Sequence, residues 1–227
     1  MSAISTLLLD LDGTLVDTEP WHFEAHRRFL ATVGIVPTEA ELFGNIGKGD
    51  ERFYNELMVR HGKTGDTYAW VAEKDRITAE LYRSHGVPVR PGTRELLDHA
   101  FSHGLACVVV TSSNRELATV ALEASGLAAR LPMRVCYEDT ERHKPHPEPY
   151  ALAASRLSVP TSACLAVEDS MSGISAAHAA GAFVVAVQGH TSAADQRRAG
   201  ATRIIERMDE LIPVEAQSFT ARLAAAR

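Results

Sequence analysis

Residues 7–12 read LLLDLD, a leucine run of the kind that enters a core, with Asp10 and then Asp12 set into its end. An isolated carboxylate taken out of water costs roughly several kcal/mol. A fold that accepts this segment must therefore bury Leu7–Leu9 in a strand and also bring positive charge to the two aspartates. Strand side chains alternate with period two, so Asp10 and Asp12 are expected to project to the same side. Two such like charges repel, and one keeps its proton unless a cation intervenes. A hard divalent cation such as Mg²⁺ prefers oxygen ligands of this kind. Gly13 lets the backbone turn sharply, and the Thr14 hydroxyl can hold the turn. The same residues also read as a plain strand end with a polar turn.

The next strand-like run, LACVVVTSS, does not arrive until residues 105–113. The intervening chain has helical spacing: Trp21, Ala25, Phe29 and Val33 share a face, as do Phe53, Leu57 and Met58, and Trp70, Ile77 and Leu81 continue the pattern. Residues 18–87 therefore read as a helical insert. From residue 88 the rhythm changes to helix TRELLDHAFSHG, strand LACVVVT, helix NRELATVALEASG, short strand MRVCY, helix EPYALAASRL, strand ACLAVED, helix SGISAAHAAG and strand FVVAV. A weaker helix, the short RIIE run and helical material to the end complete the chain. Alternating strands and helices with short Gly-containing turns imply an α/β fold with a doubly wound, mainly parallel sheet covered on both faces.

With 227 residues there is room for one core plus an insertion, and 45% hydrophobic against 23% charged residues excludes a disordered chain. No apolar run approaches the ~18 residues of a membrane-spanning helix, and the N-terminus lacks a basic start and a small-residue cleavage site, so no membrane segment and no signal peptide are expected. A net charge of −6 without a long basic stretch argues against a nucleic-acid partner and leaves anionic small molecules open. Cys107, Cys136 and Cys164 are widely spaced with no CxxC, which reads as reduced thiols and a cytoplasmic location. A monomer is the default expectation.

In open α/β sheets, ligands bind at the carboxyl ends of the strands, so the residues just past each apolar run matter most. The first run ends in Asp10 and Asp12. The second ends in Thr111, Ser112, Ser113 and Asn114 directly before a helix, which is either a phosphate seat or an N-cap. Lys144 follows, framed by Pro145, Pro147 and Pro149, and could place a point charge beside a transferred phosphoryl group. His143 and His146 flank it without a third ligand and read as solvated imidazoles. The fourth run ends in Glu168 and Asp169, a second acidic pair that would complete a Mg²⁺ site or complement a helix dipole. In this order the four ends supply a metal, an anionic nucleophile, a phosphate seat and a cation, which together make a phosphoryl-transfer site.

These residues resemble the haloacid dehalogenase superfamily, whose pattern runs hhhDxDGT, hhh(T/S), a lysine and an acidic pair. Here the segments are LLLDLDGT, VVVTSSN, HKPHPEPY and VEDSMSGISAA. The resemblance extends over essentially the whole chain and is strongest to the β-phosphoglucomutase-like group, in which a helical cap follows the first strand. It implies a Rossmann-like catalytic core at residues 1–17 and 88–227 and a cap at 18–87. It also implies Asp10 as nucleophile, Asp12 as general acid and base, and Lys144 as the balancing cation. Thr111, Ser112 and Ser113, with Lys144, would hold the substrate phosphate, and Asp10, Asp12, Glu168 and Asp169 would hold Mg²⁺. The expected activity is a phosphatase acting on a small phosphorylated metabolite such as a sugar phosphate, with a phosphosugar mutase as the alternative.

The cap is expected to set substrate choice. Thr18 and His22 occupy positions resembling the mutase hinge pair, and Trp21, Lys48, Arg52 and Trp70 are candidates for reading the leaving group. The mutase carries an arginine for its second phosphate about where Asp50 stands here, a departure that favours the phosphatase. A dehalogenase has no need of Asp12, and a signalling receiver domain is about half this length, with no place for the insert.

Overall fold

The computed structural model describes residues 4–45 and 49–214. In chain order the first elements are β1 (Thr6–Leu9), α1 (Glu19–Thr32), α2 (Glu39–Asn45), α3 (Asp50–Arg60), α4 (Thr67–His85) and α5 (Thr93–Ser102). There follow β2 (Ala106–Val110), α6 (Arg115–Ala124), β3 (Arg134–Val135), α7 (Glu148–Arg156), β4 (Cys164–Glu168), α8 (Met171–Ala179), β5 (Phe183–Val187), α9 (Ala193–Ala199) and β6 (Arg203–Ile205). The chain divides into two compact units, Met1–Asp17 with Pro88–Arg227, and Thr18–Val87.

The first unit is built on a six-stranded sheet in the order β3-β2-β1-β4-β5-β6, with every neighbouring pair parallel. β1 lies inside the sheet, Leu7 aligning with Cys107 of β2 and with Leu165 of β4. Leu8, Val108, Val110, Ala166, Val184 and Ala186 pack against Tyr150 and Ala153 of α7 and Ile174 and Ala177 of α8. The alternate residues Leu7, Leu9, Val109, Val167 and Val185 are equally buried. With both faces covered, the strands read as continuous apolar runs rather than alternating ones. Chain order reverses between β1 and β4, and the crevice at the carboxyl ends beside such a switch is where open α/β sheets take ligands. The doubly wound parallel architecture expected from the sequence is the one found.

Two local details differ from the expectation. β3 is only Arg134–Val135, because the chain turns at once: the Asp139 carboxylate accepts the Cys136 N–H at 2.8 Å and ion pairs with Arg115 and Arg156. Helix α2 has too few turns for its apolar spacing to stand out. Its start is written in Thr38 and Glu41, a capping box in which the Glu41 carboxylate accepts the Thr38 N–H (2.7 Å) and Thr38 Oγ1 accepts the Glu41 N–H (3.2 Å). The helical ending was placed partly on residues 215–227, which lie outside the described residues. Cys136 and Cys164 are buried and Cys107 half-buried, with no disulfide among them, and burial pushes the Cys107 thiol up to about 12.

The second unit packs Ala25, Phe29 and Leu30 of α1 against Tyr54 and Leu57 of α3 and Ile77 and Leu81 of α4. Trp70 stands edge-on to Phe29 and Tyr54, with ring centroids 5.3 and 5.7 Å away, so its ring belongs to this core. Within the same unit the Lys74 side chain is 3% exposed and donates to Asp50 Oδ2 (2.6 Å) and Asp75 Oδ1 (3.1 Å). Asn45 also donates to Asp50, and His26 lies 3.4 Å from it, its other ring nitrogen 2.8 Å from the Tyr54 hydroxyl. Burial works to raise the Asp50 pKa, but the Lys74 charge and His26 outweigh it and hold the carboxyl well below its usual range. The stabilisation is therefore fully present at neutral pH, begins to fade as pH falls below the ordinary carboxylate pKa of the unfolded chain, and is lost as pH falls through the lowered native pKa. Asp50→Asn leaves Lys74 buried with half its counter-charge and should cost about 3 kcal/mol in urea-unfolding stability at pH 7. A midpoint unchanged from wild type would refute this role for the pair.

Candidate active site

All eight residues expected to act in catalysis, phosphate binding or metal binding lie in the first unit. β1 ends at Leu9, and the Asp10 N–H still reaches Val167 of β4, at 3.0 Å. This fixes Asp10 at the switch point with 7% exposure. The chain then turns: Gly13 has φ +77°, and a Cβ there would stand 2.3 Å from Asp169 Oδ2. Glycine is thus required both by the backbone and by the close approach of a carboxylate. Thr14, expected to brace the turn, sends its hydroxyl instead to Asp169 Oδ1, at 3.1 Å. The DGT segment therefore seats the acidic group arriving from β4.

Lys144 is the centre of the arrangement. Its side chain is 3% exposed, and its ammonium donates to Asp10 Oδ1 (2.7 Å), Glu168 Oε1 (2.6 Å) and the Val110 carbonyl (2.9 Å). An ammonium has three protons, and each has an acceptor here. Burial pulls the Lys144 pKa down, but the charges of Asp10 and Glu168 outweigh it, and the group stays protonated. The Tyr150 ring lies beneath the ammonium, 5.2 Å from nitrogen to centroid, and its hydroxyl donates to Glu168 Oε1 at 2.7 Å.

Glu168 has no exposed surface. Besides Lys144 and Tyr150 on Oε1, it accepts at Oε2 from the Asp169 N–H (3.1 Å), the Ser170 N–H (3.1 Å) and the Ser170 hydroxyl (3.0 Å). Five donors fill the acceptor capacity of one carboxylate. Glu168 is thus held from five directions at the end of β4, beside Asp10.

The site fits a divalent cation on its own chemistry. Oxygens of Asp10, Glu168 and Asp169 lie within 4.8 Å of one another. Burial, and next the charge of Glu168, hold the Asp10 pKa well above the usual carboxylate range, with Asp169 adding to the effect and Lys144 opposing it. Three carboxylates face one ammonium, an excess of negative charge that a hard cation would relieve.

Thr111 is buried and its Oγ1 accepts the Ser113 N–H at 3.0 Å, while Ser112 is exposed at the head of α6. The Ser113 hydroxyl, read as part of the phosphate seat, is turned to Asp12 Oδ2 at 2.7 Å. The start of α6 is partly filled: Glu138 accepts the Arg115 N–H and Asn114 accepts that of Leu117. His143 stacks on Tyr137, centroids 3.8 Å apart, and His146 Nδ1 accepts the Glu148 N–H. The contacts of Tyr150, Thr14 and Ser170 with the acidic groups are not legible in the sequence. Tyr150 looked like one more apolar helix position, and the other two looked like turn and cap residues.

A model of the haloacid dehalogenase-like hydrolases matches residues 4–181, and the chain belongs to that family of enzymes. Hexitol phosphatase A of Escherichia coli K12 is 32% identical over 182 residues, covering 79% of this chain and 81% of that protein. The phosphorylated carbohydrates phosphatase of Thermotoga maritima is 31% identical over 183 residues, covering 78% and 82%. The crystal structure of β-phosphoglucomutase from Clostridium difficile superposes with a TM-score of 0.80 over 98% of each chain at 21% identity, a likeness of fold.

Glu168 leaves a sharp mark on the helix that follows it. A Cβ at Gly173 would stand 1.6 Å from Glu168 Oε1, and that carboxylate is held from five directions. Gly173→Ala must break part of this net, and the expected loss of unfolding free energy is about 2–4 kcal/mol. A urea midpoint equal to wild type would show that Glu168 is free to move.

Proposed function

We propose that the chain is a Mg²⁺-dependent phosphatase of small phosphorylated carbohydrates that works through an aspartyl phosphate on Asp10. The observation that carries this reading is the Lys144 ammonium bridging Asp10 and Glu168 at the strand-order switch, with Asp169 beside them. A carboxylate so placed is desolvated, aimed from a rigid sheet and partnered by a cation that offsets charge on a phosphoryl group. The two phosphatase relatives above 30% identity support the reaction class and the carbohydrate substrate.

In the first step an Asp10 carboxylate oxygen attacks phosphorus in line, and the bond from phosphorus to the alcohol oxygen breaks. Asp12 gives its proton to the departing oxygen. In the second step Asp12, now a carboxylate, takes a proton from water, whose oxygen attacks phosphorus and releases inorganic phosphate and the Asp10 carboxylate. Thr111 and the Ser112 N–H hold the phosphoryl oxygens, and Lys144 balances Asp10 throughout. The carboxylates of Asp10 and Asp169 and the backbone carbonyl of Asp12 would hold Mg²⁺, with Glu168 beside them. The ion, when bound, draws charge from the phosphoryl oxygens and lets them approach an anionic nucleophile.

In this reading residues 1–17 and 88–227 carry the chemistry and 18–87 serve as the cap that selects the leaving group. A mutase must grip a second phosphate, and the two described residues nearest the position of the mutase arginine offer little for it. Asp50 is itself an anion committed to Lys74, and Arg52 is exposed and paired with Glu56 at 2.8 Å. Lys48, the other cation considered, lies outside the described residues. Trp21 is packed at the edge of the core of this unit, its ring 4.9 Å from that of His85 and tilted 33° to it, and remains a candidate for reading the leaving group.

The test is phosphate release from a panel of hexitol, hexose, pentose and triose phosphates, with and without Mg²⁺. Release that needs Mg²⁺, is abolished by EDTA and falls at least about 10³-fold in Asp10→Asn is the expected result. Conversion of β-glucose 1-phosphate to its 6-phosphate isomer without phosphate release would identify a mutase instead.

A further inference from the structure

The proposed acid and base, Asp12, must change protonation state twice per turnover while its carboxyl keeps one orientation. The structure holds it from the motif at the end of β2. Ser113 Oγ lies 2.7 Å from Asp12 Oδ2, and Thr111 Oγ1 lies 3.4 Å from the same oxygen. Ser113 is itself pinned on both sides of its backbone: its N–H donates to Thr111 Oγ1 (3.0 Å), and its carbonyl accepts the Tyr137 N–H (3.1 Å). The hydroxyl is therefore presented from a fixed base. A helix cap would use the residue differently, and that task already belongs to Asn114, whose side chain accepts the Leu117 N–H at 2.8 Å.

A hydroxyl suits this duty for a simple reason. It donates to a carboxylate and, by rotating, accepts from a carboxylic acid, so one Ser113 serves Asp12 in both states without moving a heavy atom. An amide or an ammonium at this position would not serve both states equally. We infer that Ser113 is a positioning residue for the proton-transferring Asp12, orienting its carboxyl toward the leaving oxygen rather than binding the transferred phosphoryl group. The inference rests on the phosphatase reading above and adds to it the part that Ser113 plays.

The experiment compares kcat/KM for p-nitrophenyl phosphate with kcat/KM for the alkyl phosphate turned over fastest in the panel, in wild type, Ser113→Ala and Ser113→Thr. The ratio kcat/KM reports the step in which the leaving group departs. p-Nitrophenolate leaves without a proton, whereas an alkoxide needs one. A misaligned acid should therefore lower the alkyl value about tenfold or more beyond any change in the aryl value. Ser113→Thr, which keeps the hydroxyl, should restore the ratio. Both esters are measured on one preparation, so a partly unfolded variant lowers both values alike and leaves the ratio untouched. Equal losses on the two esters, with a raised inhibition constant for inorganic phosphate, would overturn the proposal in favour of phosphate binding by Ser113. An alkyl-to-aryl ratio unchanged from wild type would overturn it as well. A wild-type enzyme that released phosphate from neither ester would instead overturn the phosphatase reading, and this proposal with it.

Discussion

Three protons on one buried ammonium tie this fold together. Lys144 gives one to Asp10 from β1, one to Glu168 from β4 and one to the carbonyl of Val110 at the end of β2. Each of these contacts costs desolvation, and a buried carboxylate without a partner would not survive it. The ammonium makes the leucine strand compatible with an aspartate at its tip. Its own burial is tolerated because the two carboxylates raise its pKa more than desolvation lowers it. Around this point the sequence has little freedom. Gly173 must lack a Cβ because Glu168 lies against it, Gly13 must lack one because Asp169 does, and Tyr150 must supply both a ring face and a hydroxyl.

The topology explains why such distant residues meet. A parallel sheet directs every strand's carboxyl end to one edge, and the order reversal between β1 and β4 opens a crevice there. Asp10 and Asp169 flank that reversal, Thr111 arrives on β2 from the other side of β1, and Lys144 reaches in from the loop before α7. A surplus of negative charge stands at this edge, and a divalent cation there would relieve it and so admit an anionic phosphoryl group. The charged cluster in the helical unit is of another kind. Lys74 and Asp50 face Asp75, His26 and Tyr54 inside that unit's own packing, and their effect is on its stability.

Much of the architecture could be read before any coordinates, because each strand of a buried parallel sheet is a short apolar run with a polar end. The switch-point residues were readable for the same reason. Asp10, Thr111 and Glu168 stand at the first positions past, or the last positions within, such runs. What stayed hidden depended on partners remote in sequence. Nothing local tells that Thr14 bonds to a residue 155 positions away, or that Glu168 accepts from five donors. Ser113 was hidden in a different way. A serine before a helix has an ordinary capping role to play, and only the position of Asp12 shows that its hydroxyl has another. Helix α2 was missed because its signal is a capping box rather than a period.

In the proposed mechanism the buried Asp10 carboxylate becomes covalently bound to phosphorus, and the decisive measurement is to trap that ester by mixing enzyme with substoichiometric ³²P-labelled substrate, quenching in acid within a single turnover and mapping the labelled peptide. Transient label is expected on the peptide that contains Asp10, released as inorganic phosphate with time and absent in Asp10→Asn. Label on another residue, or phosphate release in a single turnover with no labelled protein at any time, would rule the mechanism out.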